Sequence, residues 1–262
     1  MPPYSFGLSV ASKIVIVSAL ERELWPLIKN WQSTKAQHDS CEFTFFESSY
    51  AIAVCGGIGP EAGRRAAEAA IARYSPELLI SAGVAGGLTP DLRVGETIFP
   101  VTVIDARDSS RHETAIKNAP IGSTPLAKTV LVSYPEIASA EQKQKLGRAY
   151  GAHAVDMEGA SIARAALKHN LPFVAIKSIS DDINFELPEI QSFIQNGKFR
   201  TTRFALHIAV RPWLWLKVAR LARNTKFASE NLCAWLRESA LTNTILPETI
   251  HNAGGAPRRP QP

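Results

Sequence analysis

Short apolar, β-branched runs alternate with longer stretches whose apolar residues recur every three or four positions, and this alternation lays out the fold. Lys13-Ile14-Val15-Ile16-Val17-Ser18 predicts a buried strand, and Leu20 to Trp31 a helix with Leu24, Leu27 and Ile28 on one face. Phe43 to Phe46 and Tyr50 to Cys55 predict a pair of strands. Gly56-Gly57-Ile58-Gly59-Pro60 makes a tight turn into an alanine-rich helix, with Pro60 near its first position. Leu78 to Ser81 predicts another buried strand, ending in Gly83-Val84-Ala85-Gly86-Gly87. Thr97 to Ile104, Thr129 to Ser133 and Pro172 to Ile176 read as further strands. Glu141 to Tyr150 reads as a polar helix, Ala160 to Asn170 as a second, and Arg211 to Glu238 as mainly helical.

The alternation specifies an α/β fold, a single three-layer domain with a central mixed, largely parallel sheet flanked by helices. The domain is expected over 13–246 and includes a basic C-terminal helical segment, 198–240. Residues 1–12 and 247–262 are expected to be disordered from their composition.

At 262 residues, with 45% hydrophobic and 20% charged content, the chain can bury a large core. No apolar run approaches the length of a membrane span. The N-terminus lacks a basic-then-apolar signal pattern, so a cytoplasmic protein is expected. Cys41, Cys55 and Cys233 have no metal-ligand spacing and read as free thiols. The net charge of +5 is uneven: Ile190 to Ser229 contains no acidic residue but holds Lys198, Arg200, Arg203, Arg211, Lys217, Arg220, Arg223 and Lys226, with Trp213 and Trp215. Such a segment can lie on an anionic membrane surface, grip a phosphate backbone, or be a solvated helix face packed on the domain through its aromatic side. A nucleic-acid partner rests on this segment alone and is not expected; peripheral membrane contact is carried forward.

Two acidic centres stand out, Asp156 with Glu158 and Asp181 with Asp182, each at the carboxyl end of an expected strand. Ligands bind at those ends in open parallel sheets, so the acids should converge on one pocket. One carboxylate there can bind a sugar's hydroxyls while another hands a proton to a leaving group, which points to a glycosidic bond. Protonating the leaving group of such a bond lowers the barrier by about 10²–10⁴-fold. An acid for that task needs a raised pKa, which burial beside a second carboxylate supplies; Asp181 and Asp182 are adjacent in that way. The chemistry needs no metal and no cofactor. His112, His153 and His169 read as structural or surface residues. Gly57-Ile58-Gly59 with Gly63 is a poor dinucleotide turn, because the next strand ends in Ser81-Ala82-Gly83 where an acid is required. These glycines either bring a ligand to bare backbone amides or are ordinary turns.

Four motifs in order resemble the nucleoside phosphorylase and nucleosidase superfamily: Val17-Ser18-Ala19-Leu20-Glu21-Arg22-Glu23, Gly57-Ile58-Gly59, Ala82 to Leu88, and Val155-Asp156-Met157-Glu158 with Ile179-Ser180-Asp181. The likeness covers Lys13 to Leu236 and is nearest to the 5′-methylthioadenosine/S-adenosylhomocysteine nucleosidases. It implies a nucleoside phosphorylase-like fold, a small-molecule nucleoside substrate, adenine as product and a homodimer. It implies Glu23 as the residue that positions the attacking water and Asp181 as the acid that protonates the purine, supported by Ser180. Met157 and Glu158 would bind the ribose, with Val84, Ala85 and Gly86 of the glycine-rich loop alongside it.

The chain also departs from that pattern. Where hexameric phosphorylases bind phosphate through an Arg and a Ser, it has Ser81 and Val84, which favours water; Arg64, Arg65, Arg107 or Arg111 could substitute from other loops. Asp156 replaces a Glu, and Tyr134-Pro135-Glu136-Ile137 offers no counterpart of the purine-clamping Phe-Ile pair. The expected reaction is hydrolysis of a 5′-substituted adenosine. A phosphate-dependent phosphorylase, and an enzyme for a lipid-linked adenosine such as adenosylhopane, are the alternatives.

Overall fold

The structure, a computed structural model, describes residues 14–116, 126, 128–186, 190–195 and 197–242. The disorder expected for 1–12 and 247–262 lies outside the described residues. The first half runs β1 (Ile14–Ser18), α1 (Glu21–Ile28), β2 (Gln32–His38), β3 (Cys41–Glu47), β4 (Ile52–Cys55), α2 (Pro60–Tyr74) and β5 (Leu78–Gly87). Then come β6 (Thr97–Ile98), β7 (Pro100–Asp105), β8 (Arg111–Glu113), β9 (Thr129–Ser133), α3 (Ala140–Tyr150) and β10 (Ala154–Asp156). The chain finishes with α4 (Gly159–Lys168), β11 (Phe173–Asp181), the small hairpin β12 (Ile194–Gln195) and β13 (Lys198–Phe199), α5 (Thr201–Ala209) and α6 (Pro212–Thr242).

One sheet runs β2-β3-β4-β1-β5-β10-β9-β7-β8, with β11 beside β5 and β6 beside β11. The pairs β1–β4, β1–β5, β5–β11, β9–β10 and β7–β9 are parallel, whereas β2–β3, β3–β4 and β7–β8 add antiparallel edges. Central strands buried on both faces need continuous apolar runs, which is what β1 supplies. Its Val15 and Val17 pack with Ala66, Ala67 and Ala70 of α2 and Ile162 of α4. Its Ile16 packs on the opposite side with Leu24 and Leu27 of α1 and Leu232 and Leu236 of α6. The result is the expected three-layer α/β sandwich around a mixed sheet.

The feature that creates a site is a fork at β5. Its first half is flanked by β1 and β11, while Gly86 and Gly87 at its far end pair antiparallel with Val155 and Ala154 of β10. Strands part there and leave a crevice at their ends.

Two expectations change, and one strand is new. The glycine run Gly83–Gly87 is no terminal loop but a continuation of β5, because β11 pairs along it as far as Gly86. The first helix stops at Ile28, since the chain turns at Lys29 and Asn30 to enter β2. That strand, Gln-Ser-Thr-Lys-Ala-Gln-His, carries almost no apolar signal; it is an edge strand held by its ladder to β3 and by Thr34 donating to Glu47 at 2.6 Å. Cys41, Cys55 and Cys233 are free thiols as expected.

Candidate active site

A cavity of about 1050 Å³ opens at the fork, walled by the ends of β5, β10 and β11, by α1 and α3, and by α5 and α6. All eight residues assigned to a site from the sequence line it: Glu23, Val84, Ala85, Gly86, Met157, Glu158, Ser180 and Asp181. Asp156 lines it too, so the two acidic centres do converge, but Asp182 is not in the wall.

On one side stand Glu23, Asp156 and Glu158 around a cation that sequence reasoning missed, Lys177 of β11. Ser18 at the end of β1 donates to Glu23 Oε2 at 2.8 Å. Burial pushes the Glu23 pKa up, partly offset by the Ser18 hydroxyl and the Lys177 ammonium. The positive φ of Gly59 (100°) opens the turn before α2, and its amide donates to Glu158 Oε1 at 2.6 Å. That amide therefore serves a side chain of this protein, where the sequence had left a ligand open. Burial first, and the neighbouring Asp156 charge second, drive the Glu158 pKa up to about 8.

Asp156 has every oxygen engaged. Ser133 donates to Oδ1 at 2.5 Å, and the Gly159 amide and Lys177 reach Oδ2, both at 2.9 Å. It closes the start of α4 and neutralises Lys177, which makes it a positioning residue. Lys177 also donates to Ser81 at 3.0 Å. Burial works against its ammonium, but Asp156, Glu158 and Glu23 outweigh that and its pKa goes up.

On the other side is Asp181. The register of β11 shifts between Ile179 and Asp181, a bulge that re-aims a side chain at a strand end. Ser180 donates to Asp181 Oδ1 at 2.6 Å. Oδ2 is held by a second missed residue, the ammonium of Lys143 on α3, which also donates to the Asp182 carbonyl at 2.8 Å. This overturns the expected carboxylate neighbour: Asp181 faces a cation, while the Asp182 side chain turns to the Asn184 amide at 3.0 Å and to Arg220 at 3.8 Å. Gly86 fits closely here, since a Cβ would sit 3.1 Å from both Asp181 Oδ2 and Lys143 Cε and push on the pair.

Apolar side chains from a stretch with no site signal in the sequence also line the cavity: Ile190, Ile194, Phe199 and Phe204, together with Ile137. Phe199 and Phe204 stand edge to face at 5.2 Å. The four arginines held in reserve for phosphate lie outside the cavity wall. Arg64 and Arg65 bind Glu61, Arg107 binds Asp105, and Arg111 is exposed on β8. His112, His153 and His169 are likewise occupied elsewhere, by Ser110, the Val130 amide and Glu68.

Comparison with known proteins identifies the family. The family model of the phosphorylase superfamily matches residues 13–137 and 119–209. The 5′-methylthioadenosine/S-adenosylhomocysteine nucleosidase of Bacillus licheniformis is 24% identical over 76% of this chain and 99% of its own. That of Shewanella pealeana is 26% identical over 67% of this chain and 89% of its own. Among solved structures, the Helicobacter pylori 5′-methylthioadenosine/S-adenosylhomocysteine nucleosidase superposes with a TM-score of 0.64 at 18% identity, covering 88% of this chain and 98% of that one. Futalosine hydrolase of the same organism gives 0.64 at 17% identity, covering 89% and 98%. The chain is therefore an enzyme of the phosphorylase superfamily.

Proposed function

We propose that this enzyme is a nucleosidase that hydrolyses the N-glycosidic bond of a 5′-substituted adenosine, methylthioadenosine or S-adenosylhomocysteine, and releases adenine. The observation that carries the reading is that one cavity holds two separate ionisable groups, buried Glu23 and Glu158 and the Asp181–Lys143 pair. The names of the relatives favour these substrates over a lipid-linked nucleoside. The likeness to futalosine hydrolase shows the same fold beside a different name, so the 5′ group is the part to be established by assay.

The chemistry divides as follows. As the bond between sugar and base breaks, its electron pair passes to the purine, and the Asp181–Lys143 pair supplies a proton to a purine nitrogen. Ser180 and Lys143 keep the Asp181 carboxylate oriented for that transfer. A water held by Glu23 attacks the anomeric carbon and leaves its proton on the carboxylate, while Glu158 and Met157 hold the ribose. Each turnover thus moves one proton into Glu23 and one out of the pair, and solvent restores both.

Water is favoured over phosphate by charge. The buried cation beside the sugar-side acids, Lys177, is committed to Asp156 and Ser81, and Glu23 and Glu158 stand around it. A phosphate dianion entering here would meet the Glu23 carboxylate in a desolvated site whose cation is already paired with Asp156. A homodimer belongs to the same proposal, as the resemblance implies, and size-exclusion chromatography tests it. The test of the activity is adenine release from methylthioadenosine, S-adenosylhomocysteine and adenosine, with and without phosphate, against Asp181→Asn. Release that ignores phosphate and vanishes in the variant is expected; release only with phosphate overturns the hydrolase reading.

A further inference from the structure

The corner between α5 and α6 stands out from the rest of the surface. α5 buries none of its residues, and the chain then turns through Arg211, whose guanidinium donates to the His207 carbonyl at 2.9 Å. Trp215 Nε1 donates to the Ile208 carbonyl at 2.9 Å and ties the two helices together. Four large apolar side chains at this corner, Leu206, Val210, Trp213 and Leu216, are each at least 70% exposed, and Trp215 is 54% exposed. This contradicts a helix that packs on the domain through its aromatic side. Only the second half of α6 does so, through Ala228, Leu232, Cys233 and Leu236. A cluster of exposed apolar side chains on one corner marks an interaction surface.

Charge identifies the occupant. Arg211 lies among these apolar groups and Arg200, Arg203, Lys217, Arg220 and Arg223 flank them along the chain, with no acidic residue between Ile190 and Ser229. Two of these cations meet acids just upstream, Lys217 with Glu186 at 3.2 Å and Arg220 with Asp182 at 3.8 Å; Arg200, Arg203 and Arg223 are exposed. A second copy of the chain, packed by two-fold symmetry, would set this basic corner against itself. A nucleic-acid backbone would match the arginines but leave Leu206, Val210, Trp213 and Leu216 in water. An anionic bilayer satisfies both, with apolar side chains in the acyl boundary, Trp at the headgroup level and guanidinium groups on the lipid phosphates. No described helix is long and apolar enough to cross a membrane, so the contact is interfacial.

We infer that the α5–α6 corner docks the enzyme on anionic lipid surfaces. The same two helices supply Phe204, Val218, Leu221, Ala222 and Thr225 to the cavity wall. Docking therefore sets the cavity beside the lipid. This inference rests on the corner alone and stands apart from the choice of substrate.

The test is co-sedimentation of the full chain with phosphatidylcholine vesicles, with and without phosphatidylglycerol. Sedimentation with the anionic vesicles only is expected, weakened by salt, with a blue shift of tryptophan emission. A basic side chain near an anionic surface contributes roughly fivefold in partitioning, so Arg203→Ser with Arg223→Ser should lower it by roughly twentyfold or more. Trp213→Ser with Leu216→Ser should abolish the emission shift. Unchanged melting curves show that these variants fold, and adenine release, where the enzyme shows it, should match the parent. Absence of vesicle binding overturns the inference, as does equal binding to neutral vesicles. So does corner-dependent self-association or RNA binding in place of lipid binding.

Discussion

Glu158→Gln should stabilise the protein at alkaline pH while leaving it little changed in acid. In the unfolded chain the carboxyl loses its proton near its ordinary 4.5, but in the folded protein, buried and beside Asp156, it holds on until about 8. Between those values the folded state carries a proton that the unfolded state has lost, so this group's stability contribution is complete below 4.5 and drains away as pH rises through 8. At about 1.4 kcal/mol for each pH unit, the loss reaches about 5 kcal/mol at most. Glutamine is the neutral isostere at every pH, and its carbonyl can still accept the Gly59 amide. The melting temperature of the variant should therefore match the parent below about pH 5 and exceed it by roughly 10 °C above about pH 8.5, at 2–4 °C per kcal/mol for a chain of this size. Thermal melts across that range, parent against variant, read the difference directly. A difference that stays constant with pH would refute the argument, since it would mean that Glu158 is not proton-bearing in the folded state.

Lys143→Met should lower adenine release by about 10²–10³-fold if the pair protonates the purine. The same variant should retain turnover of a nitrophenyl glycoside of the same sugar, a leaving group that needs no proton; equal loss on both substrates would reduce Lys143 to a structural role. Ser18→Ala removes a hydroxyl that holds the Glu23 pKa down. The acidic limb of the pH–rate profile should therefore move to higher pH, with kcat on the plateau little affected. Gly86→Ala forces a methyl to 3.1 Å from Asp181 Oδ2 and Lys143 Cε, so turnover should fall far more than stability, which changes by about 1–3 kcal/mol. Parallel melts and steady-state kinetics separate the two.

What could be read in the sequence, and what could not, follows from the range over which each signal acts. The strands β1 and β5 and the alanine-rich α2 are written in their own residues, because continuous apolar runs and a Pro-led helix start are local. The acids were legible for the same reason: Asp156, Glu158 and Asp181 sit at strand ends, and in a parallel sheet the strand end is where the site is. The edge strand β2 was not legible, since Gln-Ser-Thr-Lys-Ala-Gln-His owes its extension to a ladder with β3 and not to its own polarity. The cations were harder still. Along α3, Glu-Gln-Lys-Gln-Lys reads as uniformly polar, yet the Lys143 side chain is 1% exposed against Asp181 and Lys145, two positions on, is 71% exposed beside Glu141. Nothing local distinguishes the two lysines. Only the placement of α3 over the end of β11 turns one of them inward, and a buried ammonium is tolerated there because a carboxylate meets it. Lys177 obeys the same rule: an apparent interruption in the apolar run of β11 is a cation required by Asp156. In such a site the acids and their cations must be found together, and it is the sheet topology that pairs them.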